Sequence, residues 1–218
     1  MIRVLFLAIL VLIFNACSFK TPQNDWQYKS SSIFDSYVKN YLASNELLAK
    51  SDLKRATRQA SMGANITPLA KIYLGECALK ISISKETSCP KYKKIRTLVE
   101  NKSTDAYYLL ITDKISLERV DYLPKQYQTF VKAMLKKDFI VANKTLQNIE
   151  PTTSKLLAGA LLKKNINKKS IQNIIDDATF NGYKKAVLFW LKQLEEKSTQ
   201  EEEKKKVLQK IELLKSIK

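Results

Sequence analysis

Apolar residues are distributed along the chain in two ways. An unbroken apolar run, Val4 to Phe14, follows the basic residue Arg3 and leads into Asn15-Ala16-Cys17. A charged start, about a dozen apolar residues and a small residue before the cut together predict a secretory leader over 1–16. The run is shorter than the ~20 apolar residues a helix needs to cross a bilayer. Residues 17–30 are polar, contain Pro22 and hold no sustained apolar period, which predicts a tether. Trp26 and Tyr28 within it could rest at a lipid interface or pack on the first helix.

From Ser31 the spacing becomes helical. Ile33, Phe34, Tyr37, Val38, Tyr41 and Leu42 recur at three and four residues, the stripe of an amphipathic helix. A turn at Ser44-Asn45 precedes a second helix carrying Leu47, Leu48, Leu53, Ala56 and Ala60, with Gly63 as its C-cap. Thr67 as N-cap and Pro68 in the first turn start a third, with Leu69, Ile72, Tyr73, Leu74 and Leu79. Further helices are expected after Cys89-Pro90, after Ser103 or Thr104, from Pro124 and after Asp138. Three more fall at about 152–164, 168–180 and 183–197. Leu117 to Tyr122 reads as a loop or short helix. In the last segment Val207, Ile211, Leu214 and Ile217 form a narrow stripe behind Glu201-Glu202-Glu203 and Lys204-Lys205-Lys206, which suits the helix dipole. Short helices on short connections, at a period of about 30 to 40 residues, predict an all-α superhelix. Its helix-turn-helix pairs would span 31–197, with a capping helix over 198–218.

Composition supports helices. Only four glycines and five prolines interrupt 218 residues. The formal net charge of +17 implies attraction to polyanions, or lysine-decorated solvated faces. Histidine is absent, which removes Ser-His-Asp and Cys-His nucleophile arrangements and HExxH metal sites. Three cysteines, Cys17, Cys77 and Cys89, without a histidine are too few for a four-ligand zinc site of cysteines and histidines. No metal, cofactor or catalytic residue is therefore expected. In an exported chain Cys77 and Cys89 would pair as a disulfide; two buried free thiols is the alternative. Tyr73, Tyr107, Tyr108, Tyr127, Phe130 and Phe139 read as core rather than as a ligand groove. Asn101-Lys102-Ser103 and Asn143-Lys144-Thr145 are formal sequons without the acidic residue that the bacterial version needs.

Two resemblances follow from these residues. Ala16-Cys17 behind the apolar run resembles the lipobox of bacterial lipoproteins, with Phe14 and Asn15 where that family favours Leu and a small residue. The resemblance implies acyl chains on Cys17, and Ser18 after it implies sorting to the outer membrane, facing the periplasm. Ala178, Gly182, Ala186 and Trp190 lie four apart in DATFNGYKKAVLFWL, which is similar to a Sel1-type repeat with Trp in place of Leu. In LAKIYLGECAL, Ala70, Leu74 and Gly75 share that family's spacing, and the helix, Asp138-Phe139, Ala142 order resembles a tetratricopeptide turn. Proteins of this kind imply a non-catalytic scaffold or accessory subunit whose partners are other cell-envelope proteins. The basic surface offers a second reading: a binder of anionic envelope polymers, peptidoglycan or lipopolysaccharide. Export makes nucleic acid an improbable partner.

Overall fold

A computed structural model describes residues 25–84 and 88–216. The leader, Cys17, the first part of the tether and Ile217 lie outside the described residues. The described chain is all-α, with no strand among those residues. Its α-helices are α1 (Asp25–Leu42), α2 (Glu46–Ala60), α3 (Thr67–Ile83), α4 (Pro90–Ile95), α5 (Lys102–Ile111) and α6 (Lys125–Leu135). They continue with α7 (Phe139–Leu146), α8 (Thr152–Leu162), α9 (Lys168–Phe180), α10 (Lys184–Lys197) and α11 (Glu201–Ser216). Three 3-10 turns, at Arg96–Leu98, Leu117–Tyr122 and Lys163–Asn165, complete the path.

Three hairpins, α1–α2, α6–α7 and α9–α10, share one turn. The residues Ser44, Lys137 and Gly182 take left-handed φ of 71°, 59° and 67°. The next residues, Asn45, Asp138 and Tyr183, adopt φ/ψ of −84/69°, −82/78° and −83/64° before the second helix starts. Each turn closes the same pair of bonds. Asn45, Asp138 and Tyr183 N–H donate to Asn40, Ala133 and Ala178 O at 2.8–3.0 Å. The left-handed residues donate to Tyr41, Met134 and Thr179 O. This is the Schellman arrangement, in which otherwise orphaned last-turn carbonyls gain partners. A fourth copy at Asp113 (φ 60°) ends α5. Gly182 is the single glycine among the four, and the others carry a Cβ in a region costing about 1–2 kcal/mol.

Helix α3 lies at the centre. It contacts α1, α2, α4, α5, α8 and α10, and buries Ala70, Ile72, Leu74, Cys77, Ala78, Leu79, Ile81 and Ile83. A helix apolar on every side is a core helix. Its one buried acid, Glu76, receives Lys91 at 2.7 Å and Lys80 at 3.1 Å. α10 reaches both α3 and α1; Lys185 pairs with Glu46 and holds its ammonium 3.9 Å from the Tyr41 ring centre. The first and last hairpins therefore meet, and the superhelix curls around α3. At the C-terminal end Val207 and Ile211 of α11 are buried, and α11 packs against α10.

Four expectations are corrected. Residues 25–30 are the first turns of α1, not tether: Asp25 pairs with Lys29, and Ser30 Oγ donates to Ala56 O at 3.3 Å. Trp26 lies against Gly63, where a Cβ would meet the indole at 2.6 Å, while Tyr28 is exposed. Gly63 is therefore the seat of an indole; α2 is capped by Ser61 instead. Leu47 and Leu48 face solvent, and α2 buries Ala49, Ala56 and Ala60. Small residues on the inward face allow α1 and α2 to approach closely, which leaves the two bulky leucines of the first turn outside. The α3 start is held by Asn65, whose Oδ1 accepts Thr67 N–H at 3.0 Å, rather than by a Thr67 cap.

Candidate functional site

The α9–α10 hairpin and α11 enclose an apolar groove of about 740 Å³. Its floor comes from the inner faces of α9 and α10: Ile175, Val187 and Leu191 are buried there. Tyr183 and the half-buried Leu214 form the walls. Phe180, 92% exposed, and Leu213, 62% exposed, stand on its lips. The Gly182 turn places these parts. By ending α9 at once it leaves Phe180 off the Ile171, Ile174, Ile175, Ala178 stripe, with no neighbour to cover it. Such a groove, with an exposed aromatic at its edge, has the form that accepts an apolar side chain row of another helix. Lys184, Lys210 and Asp176 border it.

The repeat residues named from sequence are packing residues. Ala178 and Ala186 are fully buried on the two helices of that hairpin. Gly182 lines the groove. Ala70 and Leu74 lie in the α3 core. Gly75 admits the Phe34 ring of α1, to which a Cβ would come within 2.5 Å. Cys77 and Cys89 form a disulfide, Cα–Cα 5.4 Å, joining α3 to the start of α4. Tyr108, Tyr127 and Phe130 are buried, and Tyr73, Tyr107 and Phe139 pack partly buried against the core. Burial raises the Tyr107 and Tyr127 hydroxyls above the ordinary range; Tyr107 donates to Tyr127, which also accepts from Ser154. The sequon asparagines serve the backbone: Asn101 caps α5 through Thr104 N–H at 2.9 Å, and Asn143 is buried.

A second concavity, of about 780 Å³, was not foreseen from sequence. It opens where the C-terminal ends of α3, α5 and α8 approach the C-terminal half of α10. Ile111, Ile166, Phe189 and Trp190 give it apolar walls, and Lys163, Lys164, Lys197, Asp113 and Glu196 supply its charges. Five separated segments build it, so no local motif marks it.

Among the described residues no three His, Cys, Asp or Glu side chains gather as a metal site. No helix there is long and apolar enough to cross a membrane. No family model, curated protein or solved structure matches the chain. Its class is therefore that of its architecture: an all-α protein of paired, superhelically arranged helices. Within that class the groove beside Phe180 sets an exposed aromatic next to an apolar floor.

Proposed function

We propose that the chain is a lipid-anchored, non-catalytic scaffold of the bacterial cell envelope, held to the outer membrane through Cys17. It would grip an apolar helix or segment of another envelope protein in the α9–α10–α11 groove. The observation carrying this reading is Phe180, almost fully exposed at the lip of a 740 Å³ apolar groove. An uncovered aromatic beside an apolar floor supports a protein partner, since aromatic anchors supply much of the energy of protein interfaces. Anchoring adds a second effect: confining scaffold and partner to one thin layer raises their effective concentration.

The test is photo-crosslinking in membranes from a residue at position 213, on the lip facing Phe180, with Cys17 intact. A discrete protein adduct is expected, lost in Phe180→Asp and insensitive to salt. Adducts to glycan or lipopolysaccharide whose formation is suppressed when irradiation is done at high ionic strength would replace the scaffold reading with polyanion binding. Cys17→Ala is expected to leave the protein unacylated and to change its membrane fractionation. Unchanged acylation and fractionation would remove the anchor.

A further inference from the structure

The concavity between α3, α5, α8 and α10 combines features that the scaffold reading does not use. Its volume lies within the ~300–1,000 Å³ range of small-molecule sites. One side is apolar, with Ile111, Ile166, Phe189 and Trp190. The Trp190 indole N–H is among the few buried side-chain polar atoms left without a partner in the described residues, a costly state for a donor. Near the opening, the loop after α8 carries Lys163 at φ 52°, ψ −128°, a backbone region that glycine occupies and lysine avoids.

That strained loop is held at both ends. Asn143, on α7, receives the Asn167 N–H on Oδ1 at 2.9 Å and donates Nδ2 to Asn165 O at 2.9 Å. Lys163 is clamped to Asp113 at 2.6 Å. The protein thus maintains an unfavourable backbone at the mouth of a cavity, a pattern found at ligand clamps.

The charges indicate the ligand. Four helix C-terminal regions converge here, and bare last-turn carbonyls would favour a cation. Many of these carbonyls are capped from within. Thr112, Asp113 and Lys114 N–H close α5, and Lys163 N–H bonds Ala160 O. Ser84 Oγ donates to Lys80 O and Ser198 Oγ to Leu194 O. Asp113 and Lys163 neutralise each other. Lys164 and Lys197 then remain against one exposed carboxylate, Glu196, and Lys197 reaches only a neutral oxygen, Lys164 O at 2.6 Å.

We infer that this cavity is a binding site for an anionic amphiphile. The apolar tail lies on Trp190, Phe189, Ile111 and Ile166, and a carboxylate or phosphate head meets the ammonium groups of Lys164 and Lys197. This inference is independent of the α9–α10–α11 groove and of the anchor.

Trp190 itself reports the outcome, since Trp26 is the only other tryptophan and Trp26→Phe removes its signal. Dodecanoate, dodecyl phosphate, dodecanol and dodecyltrimethylammonium are titrated below micelle-forming concentrations. Both anions are expected to change Trp190 emission saturably, at least tenfold tighter than the alcohol. Lys164→Ala/Lys197→Ala weakens the anions at least fivefold and leaves the alcohol unchanged. Lys163→Gly raises the thermal midpoint while lowering anion affinity. No saturable change, equal binding of alcohol and anion, tighter binding of the ammonium, or unaltered affinity in the lysine variants would each overturn the assignment. If the two anions both bind, their relative strength separates a carboxylate from a phosphate head as the preferred ligand.

Discussion

Lys155 is an unusual residue in this core, and it yields the sharpest prediction. Its side chain is 3% exposed and pairs with Asp177, which is 28% exposed. It also lies in the first turn of α8, where the helix dipole disfavours a cation by roughly 0.3–1 kcal/mol. The two partners should therefore respond unequally to removal. Asp177→Ala strands a buried ammonium, and breaking a buried pair in this way costs about 3–5 kcal/mol. Lys155→Met keeps the methylene packing, removes the charge from an unfavourable helix end and leaves a carboxylate that water can reach. Its cost should stay within about 1 kcal/mol. The double variant Lys155→Met/Asp177→Ala should recover most of what Asp177→Ala alone loses, giving a coupling of roughly 2–4 kcal/mol. Urea unfolding of the four proteins measures this directly, provided the slopes agree. A loss of about 3 kcal/mol corresponds to a fall in Tm of roughly 6–12 °C in a domain of this size. Equal losses in the two single variants, or an additive double variant, would refute the argument that burial of the ammonium sets the balance.

Other consequences follow from the turns, the buried amide and the tyrosines. Nothing lies within 4 Å of a Cβ built on Gly182, so Gly182→Ala should cost about 1–2 kcal/mol from backbone strain alone. Lys137→Gly should gain about 1 kcal/mol in the equivalent turn, and opposite signs in thermal melts are the check. Asn143 is buried and uses its amide on Phe139 O, Asn165 O and Asn167 N–H. Asn143→Leu should lose about 3 kcal/mol, from three bonds at ~1 kcal/mol each, and the 163–167 amides should exchange hydrogen faster. Burial raises the hydroxyls of Tyr37, Tyr92, Tyr107, Tyr127 and Tyr183 above their ordinary value. Below about pH 10 these groups are neutral in both states, and above it the unfolded chain loses protons that the folded one keeps. Stability should thus fall as pH rises past about 10, with tyrosinate absorbance appearing together with loss of helical signal. Independent titration of all tyrosines near pH 10 in an intact fold would contradict this.

The helices were legible because each carries a three-and-four stripe, and most of their ends came close to the observed ones. The errors have a common physical origin. Of the apolar residues read on α2, Ala56 and Ala60 are buried, whereas Leu47 and Leu48 are exposed and Ala49, which lies outside that stripe, is buried in their place. The start of α1 was missed because Asp25 and Ser30 contribute an ion pair and a tertiary hydrogen bond, not apolar period. Glycine marks the left-handed position at Gly182, and the turn at Ser44-Asn45 is legible from its polar residues, but nothing in residue type marks Asp113 or Lys137, which adopt the same left-handed conformation. One mark of the groove was present in the sequence: Phe180, an aromatic off its helix's stripe directly before Asn181-Gly182. The second concavity left no such mark, because its walls come from segments as far apart as Ile81 and Lys197.

The reversal geometry also explains why both concavities exist. An open repeat array would let each helix pair touch only its neighbours. Here α3 is apolar on every side and must be enclosed, so α10 returns to cover it and reaches α1 as well. Closing the array in this way brings the C-terminal half of α10 over the ends of α3, α5 and α8, which leaves the second concavity between them. The same return turns the other face of α9 and α10 outward. α11 covers part of that face with Val207 and Ile211, and leaves Phe180 and the groove floor beyond it open. A polar substitution in the enclosed helix, such as Leu74→Asn, should therefore loosen both sites together, whereas Phe180→Asp should affect the groove alone.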